Sequence, residues 1–92
     1  MRESETIFSL GRLVATPAVL GVVSRKELFA AVERHKRGDW GDVSEGDRKA
    51  NDQALKNGER LLSVYKSAGG TKFWIVTEED RSYTTVLLPS EY

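Results

Sequence analysis

The sequence contains no cysteine, so neither disulfide bonds nor thiolate chemistry can contribute to its stability or function. It also lacks an excess of one charge, because 14 basic residues balance 14 acidic ones. General nucleic-acid binders gain affinity by neutralising phosphates and usually carry a basic excess, so the balance disfavours that class. No apolar run approaches the ~18 residues of a membrane span, and residues 1–5 make a poor signal peptide. We therefore expect a cytoplasmic protein without membrane association.

Motifs for catalytic and cofactor chemistry are missing as well. Gly69-Gly70 lacks the lysine and hydroxyl residue that complete a phosphate-binding loop. The acidic residues around Trp40 lack the ligand spacing of a calcium-binding EF-hand, and turn formation and helix starts account for them. His35, the only histidine, lies on or beside the apolar stripe of a helix, which favours a structural role. The sequence predicts no catalytic residue, no metal site and no cofactor.

The distribution of apolar residues predicts one α+β domain over residues 1–92, with residues 1–6 disordered. We expect a short N-terminal strand near residues 12–15. Thr16-Pro17 follows it and can begin a short helix over residues 18–23, because threonine caps free amides and proline needs no donor there. Counting this one, two to three helices precede the last third of the chain.

Two longer helices are predicted from their end signals. The segment Ser24-Arg25-Lys26-Glu27 has the form of a capping box, in which the serine accepts from the third amide and the glutamate reaches back. That helix should end at Gly38, after a basic last turn. Ser44 can cap a further helix that runs to about Asn57 and ends at Gly58.

In the last third of the sequence, the pattern of apolar residues changes from that of helices to that of β-strands. Residues 60–67, 71–77 and 83–88 are rich in aliphatic, aromatic and β-branched side chains and are separated by turn formers. They predict a three-stranded antiparallel meander. The middle strand is apolar on both sides, whereas a sheet with one solvated face alternates. Either both faces are covered within the monomer, or one face meets another chain, which allows a homo-oligomer through the sheet.

Large aromatic and charged residues supply the candidate binding site. A tryptophan in a glycine-flanked connector either fills the core from a loop or anchors a partner, and for Trp40 we favour the core. Arg81, in the charged turn between the last two strands, is expected to pair with a neighbouring carboxylate and fix that turn. The candidate binding residues are Trp40, Asp39, Asp42, Trp74, Arg81, Tyr83 and Tyr92.

Several short motifs resemble a family of small bacterial proteins found on plasmids and integrated elements. Its members are commonly labelled "plasmid-related protein" or "type I restriction endonuclease subunit M". The resemblance covers most of the chain after Ser9, and the sequence departs from the family mainly in its N-terminal extension and in Tyr83. The motifs that carry it are Leu13-Val14-Ala15-Thr16-Pro17, Gly38-Asp39-Trp40-Gly41-Asp42, Asn51-Asp52 with Leu55 and Gly58, Leu62-Ser63 with Tyr65, Trp74-Ile75-Val76-Thr77-Glu78, Asp80-Arg81-Ser82, Thr84-Thr85-Val86-Leu87-Leu88-Pro89 and Glu91-Tyr92.

The resemblance implies a mobile-element setting and no specific functional residue. A DNA methyltransferase needs a glycine-rich cofactor loop and an Asn-Pro-Pro-Tyr-type motif, and the chain contains neither. We therefore interpret the label of a restriction-enzyme subunit as transferred by genomic neighbourhood or by error, and not as a sign of methyl transfer.

Three functional hypotheses follow from these observations. The first is a non-enzymatic accessory protein that binds a protein partner and modulates or inhibits host defence, as anti-restriction and anti-CRISPR proteins do. The second is an RNA-cleaving toxin similar to RelE and HigB, by analogy of element order alone. The third is a small DNA-binding accessory protein that uses the polar helix after Ser44. The neutral charge favours the first hypothesis.

Overall fold

A computed structural model describes residues 6–92 and confirms the α+β class. The expected disorder of residues 1–6 falls almost wholly on residues 1–5, which lie outside the described residues. The elements in chain order are β1 (Arg12–Ala15), α1 (Pro17–Val22), α2 (Arg25–Lys36), α3 (Glu45–Asn57), β2 (Leu61–Lys66), β3 (Lys72–Thr77), β4 (Tyr83–Leu87) and one turn of 3-10 helix (Pro89–Glu91).

The four strands form one mixed sheet in the order β1-β4-β3-β2. Strands β2, β3 and β4 are antiparallel neighbours, as the predicted meander requires. Strand β1 extends this sheet by pairing parallel to β4, with Arg12 beside Tyr83 and Ala15 beside Val86. The chain therefore places its first and last strands side by side, although three helices and two strands separate them in sequence.

Hydroxyl side chains begin all three helices. Thr16 Oγ1 accepts from the Val19 amide at 3.2 Å, which leaves Pro17 at a position that needs no donor. Ser24 and Ser44 accept in the same way from the third amide after each of them. The second half of the predicted capping box differs, because the Glu27 carboxylate accepts from the Ser24 hydroxyl and from the Ala68 amide.

Helices α1 and α2 cover one face of the sheet and build the main core. Inward side chains of the strands alternate with outward ones, so every second residue of β2, β3 and β4 meets the helices. A second, smaller cluster joins Trp40, Ala54 and Leu61 beneath α3. The buried residues of the main core are Val19, Val23, Leu28, Ala31, Val32, Tyr65, Phe73, Ile75 and Val86.

The outer edge of β2 is closed by polar contacts from two segments. The Asn51 side chain on α3 donates to the Leu62 carbonyl at 2.7 Å and accepts from the Leu62 amide at 3.1 Å. Farther along the strand, the Val64 amide donates to the Trp40 carbonyl, and the Val64 carbonyl accepts from the Asp42 amide. These contacts occupy backbone groups that an edge strand otherwise presents to other chains.

Replacing Asn51 with alanine should lower the free energy of unfolding by roughly 1–3 kcal/mol, because both backbone groups of Leu62 lose their partner. Urea unfolding followed by far-UV circular dichroism measures the change. Gln53→Ala, an exposed position on the same helix, is the matched control and should change stability by less than about 0.5 kcal/mol. Equal stability of the two variants would show that the side chain of Asn51 is not needed at this edge.

Candidate protein-binding surface

A chain of hydrogen bonds runs through the core beneath α2. The imidazole of His35 is fully buried, with Nδ1 2.6 Å from Ser63 Oγ and Nε2 2.8 Å from Thr77 Oγ1. Thr77 Oγ1 lies 2.8 Å from Thr84 Oγ1, and the Thr84 hydroxyl donates to the Leu10 carbonyl at 2.7 Å. These hydrogen bonds thus connect α2, the strands β2, β3 and β4, and the segment before β1.

The carbonyl at one end of this chain fixes the direction of every proton in it. Because the Thr84 hydroxyl donates to the Leu10 carbonyl, it must accept from Thr77. Thr77 then accepts from Nε2–H of His35, and the unprotonated Nδ1 accepts from the Ser63 hydroxyl. The neutral Nε2–H tautomer satisfies all of these groups.

The surroundings of His35 oppose a positive charge on its ring. Burial, with a smaller effect of the Arg81 charge, lowers the pKa of His35 to about 3. The rings of Phe8 and Trp40 pack edge-on against the imidazole, with centroids 5.2 and 5.7 Å away. His35 therefore lies in the core, the structural position that its sequence pattern favoured.

Trp40 occupies the core rather than the surface. Its side chain is 2% exposed, and its Nε1–H donates to Asp52 Oδ1 at 3.1 Å. Phe8 stacks on the indole at a centroid distance of 6.2 Å. Of the two roles weighed for this tryptophan, the structure places it in the one that fills the core, where a partner cannot reach it.

The acidic residues of the connector differ in their surroundings. Asp39 accepts from Arg34 Nε at 2.7 Å and Nη2 at 3.2 Å, and these bonds lower the pKa of its carboxyl. Asp42 is exposed, and its backbone amide pairs with β2. Gly41 between them has φ +78°, and a Cβ there would lie 2.0 Å from the Val64 carbonyl oxygen. The connector is therefore fixed against the sheet by contacts within the chain.

Arg81 bonds to backbone carbonyls rather than to the carboxylate that the sequence analysis expected. Its Nη1 donates to the carbonyls of Glu59 at 2.7 Å and Glu78 at 3.0 Å, and more weakly to that of Glu79. Its Nη2 reaches the Ala54 carbonyl in the last turns of α3 at 3.4 Å. A cation suits the C-terminal end of a helix, where carbonyls lack intrahelical partners. Arg81 therefore clamps α3 to the turn between β3 and β4.

The remaining three candidate aromatics share the face of the sheet that lies opposite α1 and α2. Tyr92 folds back over this face, with its ring 5.3 Å from that of Trp74 and its hydroxyl 2.6 Å from Arg60 Nη1. Tyr83 remains 43% and Tyr92 56% exposed, whereas Val76 and Leu87 on the same face are buried. We call it the open face, and its strand residues are Leu62, Val64, Trp74, Val76, Tyr83, Thr85 and Leu87.

Charged residues surround the open face. Lys66 and Lys72 are cross-strand neighbours at one end of the sheet, and both are exposed. Arg12 lies beside Tyr83 at the other end. Acidic residues lie at this end as well: Arg60 Nε is 3.6 Å from Glu78 Oε1, and Glu79 and Asp80 line the same recess as Arg60 and Tyr83. The open face thus has exposed tyrosines beside a buried apolar centre, a basic pair at one end and charges of both signs at the other.

The residues of the two nucleic-acid hypotheses are not gathered into one groove. A toxin of this kind would need one groove that gathers His35 and the basic residues Arg60, Lys66, Lys72 and Arg81. However, His35 is buried and Arg81 is bonded to four carbonyls. On α3, Asn51 faces β2, and Arg48 forms an ion pair with Glu45. Across residues 6–92, no three histidine or acidic side chains lie close enough to hold a metal ion.

One surface feature was missed by the sequence analysis. An apolar groove of about 230 Å³ lies between α1, α2 and β1. The sequence did contain a sign of this groove. The short first helix has more aliphatic residues than the core can bury from a single helical turn. The lining residues are Leu13, Ala15, Leu20, Arg25, Leu28, Phe29, Val32 and Val86.

Comparisons with protein-family models, with curated proteins and with solved structures give no match to this chain. Within residues 6–92, no helix has both the length and the apolar character to cross a membrane. The candidate surface therefore rests on geometry alone.

Acidification should destabilise the fold through His35. The unfolded chain binds a proton at this residue near pH 6.5, whereas the folded chain resists protonation down to about pH 3. The unfolded state holds more protons in that window, so the free energy of unfolding falls by about 1.4 kcal/mol per pH unit, or about 2 kcal/mol between pH 6.5 and 5. Urea unfolding at a series of pH values measures this slope.

His35→Gln is the control for that slope, because glutamine keeps a donor and an acceptor without titrating in this range. The variant should be less stable at pH 7.5, and its stability should fall less steeply on acidification. Parallel curves for the two proteins would contradict the assignment of the slope to His35.

Proposed function

We propose that this protein is a non-enzymatic accessory protein that binds a protein partner through the open face of its sheet. One observation carries this proposal: Tyr83 and Tyr92 are exposed on the face of the sheet that also holds the half-buried Trp74, whereas Trp40 and Arg81 are bonded within the chain. Large aromatics with an apolar body and a polar tip dominate the binding energy of protein interfaces. The partially covered open face offers such anchors without a deep cavity.

The charges around the open face define the partner's chemistry. The exposed rings of Tyr83 and Tyr92 meet a partner's aliphatic or aromatic side chains, and the exposed Lys66 and Lys72 at one end of the sheet attract its carboxylates. The proposed partner is therefore a protein with an apolar patch and with acidic residues on the side of that patch that meets Lys66 and Lys72. The resemblance to plasmid-borne proteins supports a host defence protein of the cytoplasm as that partner.

The test is retention of a partner from an extract of the host, before and after nuclease treatment. We expect the tagged protein to retain a specific protein that survives nuclease. Tyr83→Ala and Tyr92→Ala should each weaken its binding by at least ~10-fold, because each removes an exposed aromatic anchor from the open face.

Phe29→Ala is the matched control, since it removes an aromatic side chain that is 60% exposed on the helical side of the molecule. It should retain the same partner with unchanged affinity. Two results would contradict the proposal: retention that nuclease abolishes, or equal weakening by the Phe29 and tyrosine variants. Far-UV circular dichroism of each variant verifies that it is folded.

A further inference from the structure

Among residues 6–92, no strand pairs with the outer edge of β1, in contrast to the edge of β2, which polar contacts close. The amides of Arg12 and Thr16 donate to the carbonyls of Ser82 and Val86, on the β4 side. Backbone groups of successive residues in a strand point in alternate directions, so those of Leu13 and Ala15 point away from β4. Strand β1 is last in the sheet order, and no strand of residues 6–92 pairs with its outer edge.

The side chains of β1 are exposed as well. Leu13 is 40% and Val14 39% exposed, on opposite sides of the strand. Leu13 borders the apolar groove on the helical side, where Leu20 is also 43% exposed. A strand without proline that presents free amides and carbonyls beside apolar side chains is a template for pairing with another strand.

We propose that this edge pairs with β1 of a second copy of the chain, antiparallel and about a two-fold axis at Val14. In this register Leu13 of each copy lies opposite Ala15 of the other. Because these are the residues whose backbone groups point outward, each pair exchanges two hydrogen bonds, and the interface contains four. The result is one continuous eight-stranded sheet with Val14 packed against its counterpart at the axis.

Charge complementarity selects a second copy in this register. The two-fold places Arg12 opposite Thr16 of the other copy, on the same side of the sheet. Thr16 Oγ1 donates to Glu91 Oε1 at 2.8 Å, so the Glu91 carboxylate already lies at that end of β1. The Arg12 guanidinium has no partner among residues 6–92 and meets this carboxylate across the axis. The symmetry forms this ion pair twice.

Other pairings lack this complementarity. A parallel pairing of two β1 strands in the same register would place Arg12 beside Arg12, and like charges directly opposite one another destabilise a sheet. A strand of a foreign protein could supply the hydrogen bonds but would need its own acidic group opposite Arg12. In a symmetric dimer, a second copy of this chain supplies both the backbone hydrogen bonds and the acidic group opposite Arg12.

Analytical ultracentrifugation of the purified protein tests the proposal through charge reversal. The wild type should sediment with twice the 10.3 kDa mass of one chain. Arg12→Glu alone and Glu91→Arg alone each place like charges across the axis at both ends, so each should weaken dimerisation by at least ~10-fold. An equimolar mixture of the two variants should restore the dimer, because both ion pairs then become complementary.

Lys49→Glu, an exposed charge reversal on α3, is the control and should sediment like the wild type. The proposal is overturned by a wild type that remains monomeric up to about 1 mM, or by folded single variants whose mixture dimerises no better than either alone. If a variant fails to fold, amide hydrogen exchange of the wild type decides. Protection of the Leu13 and Ala15 amides at high protein concentration supports the proposal, and rapid exchange there overturns it.

Discussion

The hydrogen-bonded chain through His35 is the interaction on which the arrangement of this small domain depends. Its members lie on α2, β2, β3 and β4 and on the segment before β1, so one polar path connects nearly every layer. Burying these groups without partners would cost several kcal/mol. Within residues 6–92, no buried side-chain nitrogen or oxygen lacks a partner. The path therefore specifies how α2 sits over the sheet, beyond what apolar packing alone requires.

Contacts within the chain limit which residues are accessible to a binding partner. His35, Trp40 and Arg81 have side chains that commonly take part in catalysis or binding, but in this structure all three stabilise the fold. What remains for recognition is the open face with Trp74, Tyr83 and Tyr92, and the outer edge of β1. The two surfaces are adjacent, so a dimer through β1 extends the open face into a continuous surface with two sets of aromatic anchors.

Local signals in the sequence predicted the helices and strands well. Thr16, Ser24 and Ser44 cap the helices where expected, and the change of period after Gly58 correctly predicted three antiparallel strands. The parallel pairing of β1 with β4 could not be predicted, because no local pattern records which distant strand completes a sheet.

The surroundings of single side chains were less accessible from sequence. The partners of His35 lie 28 and 42 residues away, so its burial was foreseeable from the helical stripe but its hydrogen bonds were not. Arg81 was expected to find a carboxylate, yet the carbonyls at the end of α3 are brought closer by the tertiary fold. Among the candidate binding residues, sequence could propose aromatics but could not separate Trp40 in the core from those on the open face.

An NMR titration of the His35 ring tests this account most directly. Long-range ¹H–¹⁵N correlations distinguish the two tautomers and the imidazolium, and the single histidine makes the assignment unambiguous. We expect the neutral Nε2–H tautomer at pH 7 and no titration down to pH 5, because burial lowers the pKa of this ring to about 3. A midpoint near pH 6.5 in the folded protein would contradict the account, since it would show an accessible imidazole that is free for acid–base chemistry.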